Sequence, residues 1–90
     1  FEGPVTHRTT RRFWDCYRSL PAQIRELADK SFALLREDQR HPSLHFKKVG
    51  HIWSARVGAG HRALAVPDGQ DYIWVWIGMH DEYERLIRGC

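Results

Sequence analysis

Two arginines on either side of a glycine-rich turn are the residues of this chain best suited to chemistry. Arg56 and Arg62 flank Gly58, Ala59 and Gly60. If those three residues form a hairpin loop, the two arginines lie opposite each other on one face of a sheet. Directly opposed like charges destabilise a sheet, so this arrangement favours an anion between them. Because guanidinium groups bind phosphate in a bidentate geometry, the pattern predicts a phosphate site.

Two alternatives stay open for these arginines. Each can pair with a carboxylate, such as that of Asp81 or Glu82, which follow the last apolar run of the sequence. A two-residue loop would instead place Arg56 and Arg62 on different faces of the sheet and separate their charges. The phosphate interpretation therefore depends on the register of the hairpin.

The charge distribution is uneven, although the formal net charge is only +3. Residues 36–62 carry six basic and two acidic side chains, whereas residues 67–84 carry five acidic side chains and no lysine or arginine. The basic segment indicates either a polyanionic partner or a solvated face. Lys47 and Lys48 belong to it, and on a strand they point to opposite faces, so only one of them can join Arg56 and Arg62.

His80 and Tyr83 follow the last apolar run, where a short helix is predicted to begin. Histidine titrates near pH ~6.5 and transfers protons at neutral pH, and residues that follow a strand commonly serve catalysis. Tyr83 lies three residues further along, on the same helical face, where it can stack on a base or orient a phosphate. The alternative for His80 is an ordinary surface residue at a helix start.

No residue pattern indicates a metal or cofactor. His41 and His45 have helical spacing, but Pro42 between them argues against the helix that would align them on a metal ion. Cys16 and Cys90 are the only cysteines and form no zinc or disulfide pattern, so a reducing cytoplasm is expected. No apolar run approaches the ~20 residues that cross a membrane.

Apolar residues at helical spacing predict two N-terminal helices. Thr9 or Thr10 can cap the first, over residues 11–19, and Pro21 can begin the second, over residues 21–37. The short join between them predicts a helical hairpin. Before them, residues 1–8 have two interpretations: a short edge strand over residues 5–8, or a remnant of recombinant expression.

Strand-like runs fill the second half of the chain, at residues 44–49, 52–57, 61–66 and 72–78. The last run is almost wholly apolar, which predicts an inner strand covered on both faces, with Trp74 and Trp76 on one side. Asp81 can cap a short final helix that Leu86 and Ile87 dock. Ninety residues make one domain of α+β class: an N-terminal helical hairpin packed on a four-stranded antiparallel sheet, with a short C-terminal helix.

Four segments together resemble the toxins of the RelE/ParE superfamily from bacterial type II toxin–antitoxin systems. The most specific is the pattern W-x-x-R-V-G-x-x-x-R that begins at Trp53, followed by an apolar strand and G-x-H-x-x-Y ending at Tyr83. The segments are LPAQIRELA, HPSLHFKK, WSARVGAGHRALAV and WVWIGMHDEYERL. The resemblance covers residues 9–87 and implies the same α+β fold and a cognate antitoxin.

Many members of that superfamily are ribosome-dependent mRNA endonucleases, and others poison DNA gyrase. For a nuclease, the resemblance implies that Arg56 and Arg62 hold phosphate together with Lys47 or Lys48. It further implies that His80 is a general acid and that Tyr83 completes the site without a metal. Ser54 departs from the pattern, since nuclease members often carry a second basic residue at its position. The expected function is a cytoplasmic mRNA endonuclease toxin, with a gyrase poison or a non-toxic relative as the alternatives.

Overall fold

The computed structural model describes residues 7–38 and 40–88, of which the side chains are described up to Leu86. These residues form three α-helices, five strands and one 3-10 turn. In chain order they are β1 (His7–Thr9), α1 (Arg11–Arg18), α2 (Ala22–Glu37), a 3-10 turn (Pro42–Leu44), β2 (Lys47–Val49), β3 (Ile52–Val57), β4 (His61–Asp68), β5 (Asp71–Met79) and α3 (His80–Arg88).

The sheet has the strand order β1-β5-β4-β3-β2 and is mixed. Strands β2 to β5 form the predicted antiparallel meander, but β1 adds a parallel edge strand in which His7 pairs with Tyr72 and Thr9 with Trp74. The prediction of four antiparallel strands is therefore wrong by one strand. Of the alternative edge strand over residues 5–8, the first two residues lie outside the described part of the chain.

The helical hairpin begins as the sequence predicts. The Thr10 hydroxyl caps α1 by accepting from the Phe13 amide at 3.2 Å, and it also lies 3.2 Å from the Trp74 carbonyl of β5. The Tyr17 hydroxyl donates to the Asp29 carboxylate at 2.7 Å, which ties α1 to α2 and raises the pKa of Tyr17. The core on this side of the sheet contains Leu20, Ala28, Leu35, Leu44, Ala55, Val57, Ala63, Ala65, Trp74 and Ile77.

A bulge in β5 separates its two tryptophans. Leu64 pairs with Trp76, whereas the next residue of β4, Ala65, pairs with Trp74, so Val75 is an extra residue on β5. Trp74 consequently packs in the core under the helical hairpin, and Trp76 packs on the other face with Leu64 and Tyr83. The prediction that both tryptophans lie on one side is wrong, because it assumes uninterrupted alternation.

The segments at either end of the meander differ from prediction in their boundaries. Strand β2 begins only at Lys47, because Pro42–Leu44 form a 3-10 turn and His45 adopts a left-handed φ of 46°. Helix α3 begins at His80, so Asp81 lies in its first turn rather than capping it. Tyr83, only 5% exposed, docks α3 on the sheet, while Leu86 remains 38% exposed.

His7 makes the attachment of β1 sensitive to pH. Its Nδ1 accepts from the Trp74 indole at 3.1 Å, and its ring stacks on Tyr72 at 5.7 Å. Burial lowers the pKa of His7, Arg36 lowers it further, and Asp71 opposes the change. Since the unfolded chain then binds the proton more readily, the contribution of neutral His7 to stability is full above about pH 6.5 and is lost as the pH falls from there through the lowered pKa of the folded state.

We expect wild-type protein to lose more free energy of unfolding between about pH 7.5 and about pH 5.5 than the variant His7→Gln. Glutamine keeps an acceptor for the Trp74 indole but does not titrate, and the other histidines are common to both proteins. Urea unfolding followed by tryptophan fluorescence at the two pH values measures the difference. Equal losses in the two proteins would contradict the prediction.

Candidate functional site

The hairpin between β3 and β4 has the three-residue loop on which the arginine prediction depends. Val57 pairs with His61, and Arg56 pairs directly with Arg62. Arg62 in turn pairs with Gly78 of β5. We call the paired Arg56 and Arg62 the arginine row, and the face of the sheet that carries them the arginine face. Since Val57 faces the helical hairpin, alternation places Arg56 and Arg62 on the opposite face, where α3 docks. The predicted register is confirmed.

Arg62 is held by aromatic and histidine contacts rather than by a carboxylate. Its Nε lies 3.4 Å from the Nδ1 atom of His80, and its guanidinium carbon lies 5.3 Å from the centre of the Tyr83 ring. Its Nη1 is buried and has no hydrogen-bond partner. A desolvated cationic N–H without an acceptor is costly, so the guanidinium of Arg62 is incompletely satisfied by the described residues.

The guanidinium of Arg56 has more hydrogen-bond contacts within the protein than that of Arg62. Its Nε donates to the Gly58 carbonyl at 2.9 Å, and its Nη1 lies 3.4 Å from the Nε2 atom of His45. Within the described residues, neither Arg56 nor Arg62 forms an ion pair with a carboxylate. The alternative pairing with Asp81 or Glu82 is therefore not observed.

His80 lies where α3 meets the β3–β4 hairpin. Its amide donates to the Gly60 carbonyl at 2.9 Å, which anchors the start of the helix to the glycine turn. Its ring stacks on Tyr83 with centroids 5.6 Å apart and an interplanar angle of 26°. Its side chain is 41% exposed, and its Nε2 lies 3.0 Å from the Glu84 carboxylate. The structure thus brings His80 to the arginine row while leaving its ring accessible.

Tyr83 is a buried residue on which Arg62 and His80 pack. It is 5% exposed and packs with Leu64 and Trp76, while Arg62 and His80 cover its ring. A ring in this position cannot stack on a base unless α3 moves. This burial was not predictable from residue type, because tyrosine occurs both in cores and at surfaces.

The two lysines point to opposite faces of the sheet. Lys47 pairs with Ser54, which lies on the same face as Arg56, whereas Lys48 pairs with Trp53 on the face of the helical hairpin. Both lysines are exposed. Ser54 has no exposed surface, and its hydroxyl has no hydrogen-bond partner. Only Lys47 therefore shares a face with the arginine row.

Sequence reasoning missed His45 and Glu84 as neighbours of the site. His45 reaches Arg56 only because its left-handed backbone turns the chain before β2, which no residue spacing reveals. Glu84 was detectable in principle, since it lies four residues after His80 on a predicted helix and such pairs face each other.

A cavity of the described structure lies away from Arg56 and Arg62. It has a volume of about 290 Å³ and lies between the helical hairpin and the sheet, with apolar walls that include Phe13, Leu35 and Trp74. The residues of the arginine face do not line it. Arg56, Arg62 and His80 are partly exposed and Lys47 is exposed, so a polymer can reach the candidate site from solvent.

Two further features of the described residues bear on metals and membranes. Within residues 7–38 and 40–88, no three histidine, cysteine or acidic side chains lie close enough together to hold a metal ion. Over the same part of the chain, no helix combines the length and the apolar character that crossing a bilayer requires.

Solved structures of toxin–antitoxin proteins share this fold. A chain of the RelB–RelE antitoxin–toxin complex from Methanococcus jannaschii matches with a TM-score of 0.69 at 14% identity, over 88% of this chain and 96% of that one. A mutant of the Escherichia coli toxin RelE in the free state matches with a TM-score of 0.67 at 13% identity, over 97% and 93%. A chain of a RelBE toxin–antitoxin complex from Mycobacterium tuberculosis matches with a TM-score of 0.64 at 21% identity, over 87% and 100%.

No family model and no curated protein sequence matches the chain. At these identities the structural matches show that the chain has the RelE-like fold that the resemblance implies.

Proposed function

We propose that this chain, which has the fold of the RelE toxins, is the toxin of a type II toxin–antitoxin system and is neutralised by a cognate antitoxin. The fold supports this proposal, because several of the matching structures are toxin–antitoxin complexes. The sequence resemblance of residues 9–87 to the superfamily supports the proposed toxin function independently of the structure.

We further propose that the toxin cleaves mRNA on the ribosome. The observation that carries this proposal is the direct pairing of Arg56 with Arg62 on one face of the sheet, where neither forms an ion pair with a carboxylate of the described residues. A guanidinium held without a carboxylate is a receptor for an anion, and the phosphodiester of RNA is an anion that an open basic face can bind.

The proposed reaction is transesterification within the RNA strand. The ribose 2′-oxygen attacks the adjacent phosphorus and its proton passes to water, while the bond from phosphorus to the 5′-oxygen breaks. His80 donates a proton to that leaving oxygen, so the products are a 2′,3′-cyclic phosphate and a 5′-hydroxyl. Arg56 and Arg62 stabilise the charge on the phosphate oxygens, and Lys47 binds a neighbouring phosphate.

A gyrase poison without nuclease activity is the second candidate. Ser54 favours it, because this buried neutral residue occupies a position where nuclease members often carry a second basic side chain. The arginine face then binds DNA or gyrase without chemistry, and His80 has no catalytic role.

The test is expression of the chain alone in bacteria, with pulse-labelling of protein and DNA synthesis and mapping of RNA 5′ ends. We expect protein synthesis to stop first and new 5′ ends to appear. In purified translation reactions, His80→Ala should cleave RNA ~10²–10⁴-fold more slowly, because it removes the general acid. His51→Ala is the matched control, since His51 is exposed in the β2–β3 turn.

Each alternative outcome is distinct. Loss of DNA synthesis while translation continues would support the gyrase candidate instead. Normal growth of cells that accumulate folded protein would refute a toxin of either kind. Full cleavage by His80→Ala would remove His80 from the mechanism.

A further inference from the structure

We propose that Glu84 is a positioning residue that fixes the tautomer of His80, so that Nδ1 is the nitrogen that exchanges a proton with RNA. This inference rests on the proposed nuclease function. It adds Glu84 to the site and names Nδ1 of His80 as the atom that exchanges the proton. It assigns a role to the carboxylate of Glu84, which the proposed reaction does not otherwise use.

The contacts around the imidazole of His80 select one neutral tautomer. On one side, Nδ1 faces the Nε–H of Arg62 at 3.4 Å, and an arginine can only donate. On the other side, Nε2 lies 3.0 Å from a Glu84 carboxylate oxygen, and an ionised carboxylate can only accept. Nδ1 must therefore present its lone pair and Nε2 must carry the hydrogen.

The two nitrogens also point to different surroundings. Nδ1 faces Arg62 of β4, whose Nη1 lacks a partner, and thus faces the proposed phosphate site. Nε2 faces along α3, because His80 and Glu84 are one helical turn apart. Tyr83 lies against the ring, and the Gly60 carbonyl accepts from the His80 amide. Nδ1 is therefore the nitrogen that a bound phosphodiester would meet.

A bound phosphate changes what Nδ1 can do. The phosphate oxygens compete with Nδ1 for the Arg62 N–H groups, since a charged acceptor binds guanidinium more strongly than an imidazole does. Once released, Nδ1 takes a proton from solvent and passes it to the leaving 5′-oxygen. The Glu84 carboxylate on Nε2–H orients the ring and stabilises the imidazolium, as an orienting carboxylate does for a catalytic histidine in other enzymes.

An ordinary surface pair is the competing explanation. A partly exposed i,i+4 pair stabilises a helix by only ~0.3–0.5 kcal/mol and has no effect on a reaction. The two roles differ in observables other than stability, because a mere helix pair leaves both the tautomer of His80 and the rate of RNA cleavage unchanged.

The experiment compares Glu84→Leu with Glu84→Gln and with the control Glu82→Leu. Leucine removes the acceptor, glutamine keeps an acceptor without the charge, and Glu82 is an exposed acidic residue of the same helix. Nitrogen-15 NMR of the imidazole rings, in protein without RNA, reports the tautomer of His80. Cleavage of mRNA in translation reactions reports kcat and KM, and circular dichroism verifies folding.

We expect wild type, Glu84→Gln and Glu82→Leu to hold His80 with the hydrogen on Nε2, and Glu84→Leu to populate the Nδ1–H form. We expect Glu84→Leu to lower kcat by ~10–100-fold with little change in KM, which is the scale of losing a group that orients a reactive ligand. Glu84→Gln should lie between it and wild type.

The proposal is overturned if Glu84→Leu keeps the wild-type tautomer, or if it keeps wild-type kcat. A wild-type protein that cleaves no RNA would instead refute the nuclease function. The NMR measurement separates the two failures, because it needs no substrate and decides on its own whether Glu84 sets the tautomer of His80.

Discussion

Arg62→Ala is expected to lower RNA cleavage by ~10²–10³-fold while the protein stays folded. The rate falls because Arg62 supplies charge to the phosphate as its negative charge develops, and the loss of one such donor has this magnitude in other active sites. Stability changes little, since the substitution removes a buried N–H that has no acceptor, a long hydrogen bond of 3.4 Å to His80 and a cation–π contact to Tyr83. We expect the free energy of unfolding to stay within about 1 kcal/mol of wild type.

Two further variants make this measurement specific. Arg62→Lys keeps the charge but lacks the planar pair of donors, so its cleavage rate should fall between those of wild type and Arg62→Ala. Arg12→Ala removes an arginine that is exposed on α1, behind the opposite face of the sheet, and should leave cleavage unchanged. Wild-type cleavage by Arg62→Ala would contradict the proposed phosphate site.

Substitution of Arg62 tests the proposed phosphate site better than substitution of Arg56, because the guanidinium of Arg56 has more hydrogen-bond contacts within the protein. Arg56 already donates to the Gly58 carbonyl and contacts His45. Binding an anion at Arg56 therefore displaces its contacts to the Gly58 carbonyl and His45, whereas at Arg62 it displaces only the 3.4 Å contact of Nε to His80. The free-energy gain from the anion is accordingly larger at Arg62.

The register of the arginine row was predictable because loop length alone sets it. Three residues between Val57 and His61 leave one pairing for the flanking strands, and the observed Arg56–Arg62 pair follows from it. The two N-terminal helices were predictable for a similarly local reason, since side-chain spacing and the Thr10 cap act within a few residues.

The features that escaped prediction depend on contacts distant in sequence. Strand β1 overlaps the edge strand that was predicted over residues 5–8 as one of two interpretations, but three residues are too few for a periodic signal, and its parallel pairing is with a strand more than sixty positions later. The extra residue Val75 is set by how Trp74 and Trp76 fill two separate cores, and nothing in the run of apolar residues marks it.

The bulge has a consequence for the site. Because it turns Trp76 away from the helical hairpin, the indole packs on the face of the arginine row, against Leu64 and Tyr83. Tyr83 in turn underlies Arg62 and His80. The position of the functional side chains therefore depends on a packing layer of Leu64, Trp76 and Tyr83 that uninterrupted alternation along β5 does not predict.

Gly78→Ala should disturb that layer and lower the free energy of unfolding by about 2 kcal/mol, a typical cost of overpacking a core. A Cβ atom at Gly78 would lie 2.5 Å from Cζ2 and 2.9 Å from Cη2 of the Trp76 indole. The indole is 7% exposed and confined by Leu64 and Tyr83, so it cannot move aside without displacing them.

Gly60→Ala is the matched control for this substitution. A Cβ atom there meets no atom within 4 Å, and Gly60 is not among the glycines with positive φ, so its free energy of unfolding should stay within about 0.5 kcal/mol of wild type. Urea unfolding of the three proteins measures both effects. If Gly78→Ala were as stable as Gly60→Ala, the Trp76 indole would not lie over Gly78. The support of Tyr83 beneath Arg62 and His80 would then need another explanation.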